Sequence, residues 1–170
     1  GKITTVSTDL DTLEGKMAPL IATGGFYAPV DFNTFKCTAT TTATAGLKIP
    51  LTKIIGGLSI SSDQITLQKG YLYSVFVDFD FTPAGGTGEA TMDITDLSNN
   101  SKLQRYCNKT SVYLVSAAAS STGNGIIDLT SAASDLVVKA YVRAASGNPY
   151  ISASLGGVYI TKYKLIPFTT

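Results

Sequence analysis

The sequence predicts an all-β chain, an antiparallel sandwich or barrel, preceded by a short N-terminal coiled-coil helix. Three observations support this. Short β-compatible segments, roughly eight to ten of them, recur with turn signals at regular spacing. One of them, Tyr71 to Thr82, alternates strictly, with Tyr71, Tyr73, Val75, Val77, Phe79 and Phe81 on one face. After Leu20 no segment of useful length has the helical period, which argues against a parallel α/β fold.

The helix comes first. Ile3, Val6, Leu10, Leu13 and Met17 fall at steps of three and four, and Leu20 continues the series. This is an a/d seam of about two and a half heptads. A helix this short cannot bury such a stripe alone. It either meets copies of itself, which is the expectation here, or folds back on its own domain. Gly15 and the threonines lower helix propensity, and Asp9 would face Glu14 of a parallel neighbour. Leu10 at an a position is not the β-branched choice of dimers, which favours more than two strands. The expected division is a stalk end over residues 1–20 and a β-domain over 21–170. A heptad in full register directly after Gly1 suggests a chain that extends further N-terminally, where attachment to other proteins would lie.

Pro19 and Ala22-Thr23-Gly24-Gly25 break the helix and form a hinge. Short β segments begin at Phe26. Lys36 to Ala43 reads as a strand of small residues. Leu51 to Ile60 reads as a strand with a bulge or corner at Gly56-Gly57, and Gln64 to Leu67 as a short strand ended by Lys69-Gly70. After Tyr71 to Thr82, the loop Pro83 to Gly88 leads into Ala90 to Leu97, which is expected to pair antiparallel with it. Ser98 to Thr110 is a polar connection. Ser111 to Ala119 is a strand and Ser120 to Gly125 a turn. Ile126 to Leu129 and Asp135 to Arg143 are strands, and Ser146 to Pro149 is a turn. Tyr150 to Ser154 and Val158 to Ile166 finish the chain around Gly156-Gly157.

Composition narrows the chemistry. The chain is 44% hydrophobic and 15% charged with net charge +1, so no bulk field draws it to nucleic acid or acidic membranes. No apolar run is long enough to span a bilayer as a helix. Histidine is absent, so a triad lacks its proton carrier. Gly85-Gly86-Thr87-Gly88 lacks the lysine and helix of a phosphate loop. No enzymatic activity and no cofactor are expected. Cys37 and Cys107 are too few for a zinc site. Sequence does not decide whether they pair, and buried free thiols are the expectation. Asp78, Asp80, Asp93 and Asp96 on adjacent strands have oxygen ligands suited to calcium, but a solvated acidic edge is the simpler account, and no metal is expected. Lys102, Arg105 and Lys109 around Tyr106 read as a solvated loop.

Three stretches carry a resemblance. They are Gly70-Tyr71-Leu72-Tyr73-Ser74-Val75, then Gly125 to Leu129 followed by Ala133 to Val138, then Ser154 to Ile160. In this order they resemble the conserved strands of tumour-necrosis-factor-like and complement-globular-head domains over roughly residues 26 to 166, with Ser134 where that family usually has glycine. The resemblance implies a ten-stranded antiparallel jelly roll that forms a homotrimer about a threefold axis. A heptad helix leading into such a domain is also similar to fibre proteins of tailed phages and other viruses. The implied function is a trimeric fibre head on a virion surface, binding a host-cell glycan or protein. The alternative is a secreted or surface-displayed trimeric ligand of cellular origin. In the jelly-roll layout Pro83–Gly88, Ser120–Gly125 and Ser146–Pro149 lie at the tip. The candidate receptor-binding residues are therefore Thr87, Ser121, Thr122, Asn124, Asn148 and Tyr150. Ser98–Thr110 would lie at the stalk end.

Overall fold

In a computed structural model, the chain is described over residues 24–82, 87–96, 105–108, 112–115 and 119–168. The expected helix, its seam residues Ile3, Val6, Leu10, Leu13 and Met17, and the boundary at residue 20 lie outside the described residues.

The described residues are all-β. Twelve strands form: β1 (Gly25–Cys37), β2 (Thr41–Thr42), β3 (Leu51–Ile55), β4 (Ser59–Ser61), β5 (Gln64–Leu67), β6 (Leu72–Thr82), β7 (Thr87–Asp96), β8 (Arg105–Asn108), β9 (Val112–Val115), β10 (Ala119–Asp128), β11 (Leu136–Ser146) and β12 (Tyr150–Pro167). They make two six-stranded sheets. Sheet A runs β10-β6-β12-β1-β3, with β2 also paired to β12. Sheet B runs β4-β5-β11-β7-β8, with β9 also paired to β7. The pairs β1–β3, β6–β10, β6–β12, β2–β12, β4–β5, β5–β11, β7–β11, β7–β8 and β7–β9 are antiparallel. This is an antiparallel jelly-roll sandwich.

The chain divides into two compact units, Gly1–Ala28 with Lys164–Thr170, and Pro29–Tyr163. In the first, the Phe168 N–H donates to the Gly24 carbonyl at 3.1 Å. The Phe26 and Phe168 rings lie 6.4 Å apart.

The second unit holds the core. Every odd residue of β6 from Tyr73 to Phe81 is fully buried, as the alternation predicts. Phe35 and Cys37 of β1, Val158 and Ile160 of β12, and Ile127 of β10 join them from sheet A. From sheet B come Ile65, Leu67, Ile94, Val138, Ala140 and Val142. β12 is one strand rather than two, with a shift of register between Ile151 and Gly156. Gly156, at φ +93, ends that bulge with its backbone against Asp78. A Cβ there would lie 2.0 Å from the Asp78 carbonyl oxygen, so only glycine fits.

Further element assignments differ from expectation: Lys36 to Ala43 is divided between β1 and β2, and Leu51 to Ile60 between β3 of sheet A and β4 of sheet B. β6 and β7 do not pair, because β6 lies between β10 and β12 in sheet A while β7 belongs to sheet B. The connection between them changes sheet instead of closing a hairpin. Arg105–Asn108, expected within a polar connection, is a strand opposite Thr95 to Asp93. Ser120–Gly125, expected as a turn, lies inside β10 and continues its ladder with β6 from Ala119↔Phe81 to Asp128↔Leu72. That ladder satisfies backbone groups a turn would leave to water, and tertiary pairing overrides the turn propensity of Gly and Asn.

Candidate functional site

Two surfaces of the second unit hold the sequence-predicted residues. The first is the end of the sandwich where β6 stops and β12 begins. Thr82 sits opposite Tyr150, and Ala119 opposite Phe81. Thr87 opens β7 opposite Val115, and Ser146 closes β11 opposite Glu89. The Ser146–Pro149 connection is the turn the sequence predicts, with Gly147 and Asn148 at positive φ. It is anchored from below, since the carbonyl of buried Pro149 accepts the Ala43 N–H at 2.7 Å. Asn148 is exposed, and Tyr150 is 41% exposed beside it. Thr87, Asn148 and Tyr150 thus come to one end.

Sequence reasoning missed a further contribution here. β2 places Thr42 opposite Tyr150 and Thr41 opposite Ile151. The Thr40 hydroxyl accepts the Ala153 N–H at 3.2 Å, and the Thr82 and Ser152 hydroxyls lie 3.4 Å apart. The result is an end rich in hydroxyl groups around one exposed aromatic ring. Its signal was the run Thr40-Thr41-Thr42, read as part of a longer strand. Ser121, Thr122 and Asn124 are not part of a loop at this end. Within β10 they sit opposite Phe79, Asp78 and Phe76.

The second surface is the outward face of sheet A. Residues directly opposite in an antiparallel ladder share a face. Phe76 therefore shares its row with Asn124 on one side and Tyr159 on the other, and Ser74 with Ile126 and Thr161. Phe32 of β1, Phe76 and Ile126 are 61%, 43% and 62% exposed. Ile55 of β3, opposite Thr34, is also exposed. The Phe76 and Tyr159 rings meet at 5.9 Å. Lys36 donates to the Tyr159 hydroxyl at 2.6 Å with its ammonium over that ring. One Asp78 carboxylate oxygen on this face is buried without a hydrogen-bond partner among the described residues.

The remaining predicted groups do not converge. Asp78 and Asp80 stand on β6 in sheet A, whereas Asp93 and Asp96 belong to β7 in sheet B, so these carboxylates are not on adjacent strands. Among the described residues no cluster of His, Cys, Asp or Glu could hold a metal. Lys102 and Lys109 lie outside the described residues. Cys37 is a buried free thiol whose hydrogen reaches the Ala39 carbonyl, and burial pushes its pKa up. No described helix is long and apolar enough to cross a membrane.

Comparison with solved structures gives the same fold. The crystal structure of murine APRIL at pH 8.5 superposes with a TM-score of 0.56 at 14% identity, over 79% of this chain and 98% of that one. The Eiger TNF from S. frugiperda gives 0.55 at 10% identity, over 79% and 93%. The PRD1 vertex protein P5 gives 0.37 at 15% identity over 82% and 99%, too low a score to bear on the argument. No protein-family model and no curated protein matches the sequence. The chain has the tumour-necrosis-factor-like fold.

Proposed function

We propose that the chain is the head of a homotrimeric, non-enzymatic fibre on a virion surface. It self-associates through the outward face of sheet A and the N-terminal seam. It meets a host-cell glycan or protein at the Tyr150 end.

The observation that carries the reading is the exposed apolar face of sheet A. Phe32, Phe76, Ile126 and Ile55 stand on one side of one sheet, and a concentration of exposed apolar side chains marks an interaction surface. The seam predicted over Ile3 to Met17 supports the same partner, a further copy of this chain. Three copies would present three Tyr150 ends together, and weak sites on one rigid head act by avidity. The virion placement is supported by the predicted stalk leading into a jelly-roll head. A secreted trimeric ligand remains the competing assignment, and neighbouring genes separate the two: capsid and tail genes against a secretion signal upstream of Gly1.

Sedimentation equilibrium at micromolar concentration tests the association. A mass of three 17.8 kDa protomers is expected, falling to one in Phe76→Glu/Ile126→Glu. A protomer mass for the wild-type chain overturns the reading. A glycan array of the assembled protein, with Tyr150→Ala as the matched variant, tests the binding end. Signal lost in the variant supports the assignment, and unchanged signal removes Tyr150 from it.

A further inference from the structure

At the end of the sandwich away from Tyr150, the connection Leu129–Asp135 and the neighbouring ends of β5 and β11 line a cavity of about 480 Å³. That size falls within the range of small-molecule sites. Its lining has two parts. Leu129, Ala132, Leu136 and Val137 are aliphatic, while Gln64, Ser134 and Asp135 bring an amide, a hydroxyl and a carboxylate.

The rim is held before any ligand arrives. The Gly70 N–H donates to the Leu129 carbonyl at 2.7 Å, and the Leu129 N–H to the Tyr71 carbonyl at 3.0 Å. The Ala132 N–H closes a turn on the Leu129 carbonyl at 3.1 Å. The Lys69 N–H donates to Asp135 Oδ1 at 3.0 Å, and the Lys69 ammonium to the Ala133 carbonyl at 3.1 Å. Pre-ordering of this kind lowers the conformational cost of binding.

Among the described residues, neither the Gln64 amide nor the Ser134 hydroxyl has a hydrogen-bond partner. Asp135 keeps its second oxygen for another donor. The amide and hydroxyl both donate and accept, and the carboxylate accepts. The Lys69 ammonium is taken up by the Ala133 carbonyl, and the Asp135 carboxylate disfavours an anionic ligand. Groups that bond in both directions beside an aliphatic floor suit a neutral ring bearing several hydroxyls on one side and C–H groups on the other. We infer that this cavity is a binding site for a neutral saccharide. Its hydroxyls would be held by Gln64, Ser134 and Asp135, and its C–H face would lie on Leu129, Ala132 and Leu136. The inference stands apart from the Tyr150 end and does not require the trimer.

Methyl NMR of the full chain, titrated with glucose, galactose, mannose, N-acetylglucosamine and N-acetylneuraminic acid, tests it. At least one neutral sugar is expected to give saturable shifts at the Leu129, Ala132, Leu136 and Val137 methyls, with a Kd on the order of millimolar. N-acetylneuraminic acid, whose carboxylate would meet Asp135, should bind at least tenfold more weakly than the best neutral sugar. Asp135→Asn keeps an oxygen for the Lys69 N–H and so keeps the loop. It should weaken binding at least fivefold with the remaining methyl spectrum unchanged, and Gln64→Met should act in the same direction. Tyr150→Ala should leave this binding as it was. Three results overturn the inference: no saturable shift from any neutral sugar, unchanged affinity in Asp135→Asn, or loss confined to Tyr150→Ala, which moves the sugar to the other end.

Discussion

The two sheets share a core but present opposite outer faces. On sheet B, β11 turns Val138, Ala140 and Val142 inward and leaves Lys139, Tyr141 and Arg143 outward, beside Thr66 of β5 and Ser59 and Ser61 of β4. The Lys139 ammonium lies over the Tyr141 ring, so the apolar part of that face is covered by a charged stem. On sheet A the corresponding rows carry Phe32, Phe76, Ile126 and Ile55, each well exposed. The same alternation builds both sheets. They differ in what fills the outward positions. Over its described side chains the sheet B face is finished for water, while the sheet A face has the composition of a face that another surface covers.

The largest test of that contrast lies within β6. Phe76 and Phe79 are three positions apart and point to opposite sides. Phe79→Ala empties a fully buried site and should cost about 3–5 kcal/mol in urea unfolding. Phe76→Ala, measured at concentrations below association, should cost under about 1 kcal/mol and instead reduce the sedimentation mass. Equal losses of stability would mean that Phe76 packs within its own chain, and the contrast between the faces would be gone.

This strand also shows how far sequence reached. A period of two put Tyr71, Tyr73, Val75, Val77, Phe79 and Phe81 on one face, and all but the partly buried Tyr71 lie fully in the core. It said nothing of which strand lies beside it. β7 has β-like residues and follows a Gly-rich loop, so a hairpin was the natural expectation. A hairpin and a crossing between sheets leave the same local pattern. Asn124 shows the converse limit. Gly123-Asn124-Gly125 has turn chemistry, yet its backbone is committed to Val77, Phe76 and Val75, a constraint that lies some fifty residues away in sequence. At the Tyr150 end, Ser146–Pro149 was legible from its own residues. Thr41 and Thr42 were not assigned there, because only pairing with β12 brings them in.

A smaller test compares neighbours on β1. Asn33 points inward and is 2% exposed. Its Oδ1 accepts the Leu58 N–H at 2.8 Å, and its Nδ2 donates to Asp31 Oδ2 at 3.1 Å and to the Ile160 carbonyl at 3.4 Å. One amide thus joins β1, β12 and the β3–β4 corner. Gly56 at φ +104 makes room for it, since a Cβ there would lie 2.1 Å from Asn33 Oδ1. Asn33→Ala strands a buried donor and should cost about 1–3 kcal/mol. Thr34→Ala, on the outward side, should stay within about 0.5 kcal/mol. A cost for Thr34→Ala as large as that for Asn33→Ala would show that the outward face of sheet A is buried within the chain.

The finest test asks whether the dry side of β6 stays dry at its rim. The Tyr73 ring is fully buried, and its hydroxyl donates to the Gln68 carbonyl at 2.8 Å. Burial pushes the Tyr73 pKa from 10.0 up to about 12. A raised folded-state pKa favours the protonated phenol in the native chain. Its contribution is therefore complete below about pH 10 and is lost as pH rises through about 12. Tyr73→Phe removes the hydrogen bond and should cost about 0.5–1.5 kcal/mol at pH 8. The variant has no phenol to ionise at this position, so the gap between the two proteins should narrow as pH climbs from 10 toward 12. Urea midpoints taken in parallel across that range read the gap directly, because every other residue is common to both chains. A constant gap would place the Tyr73 hydroxyl in water, and the inner face of β6 would then be open at the end where Gln68 covers it.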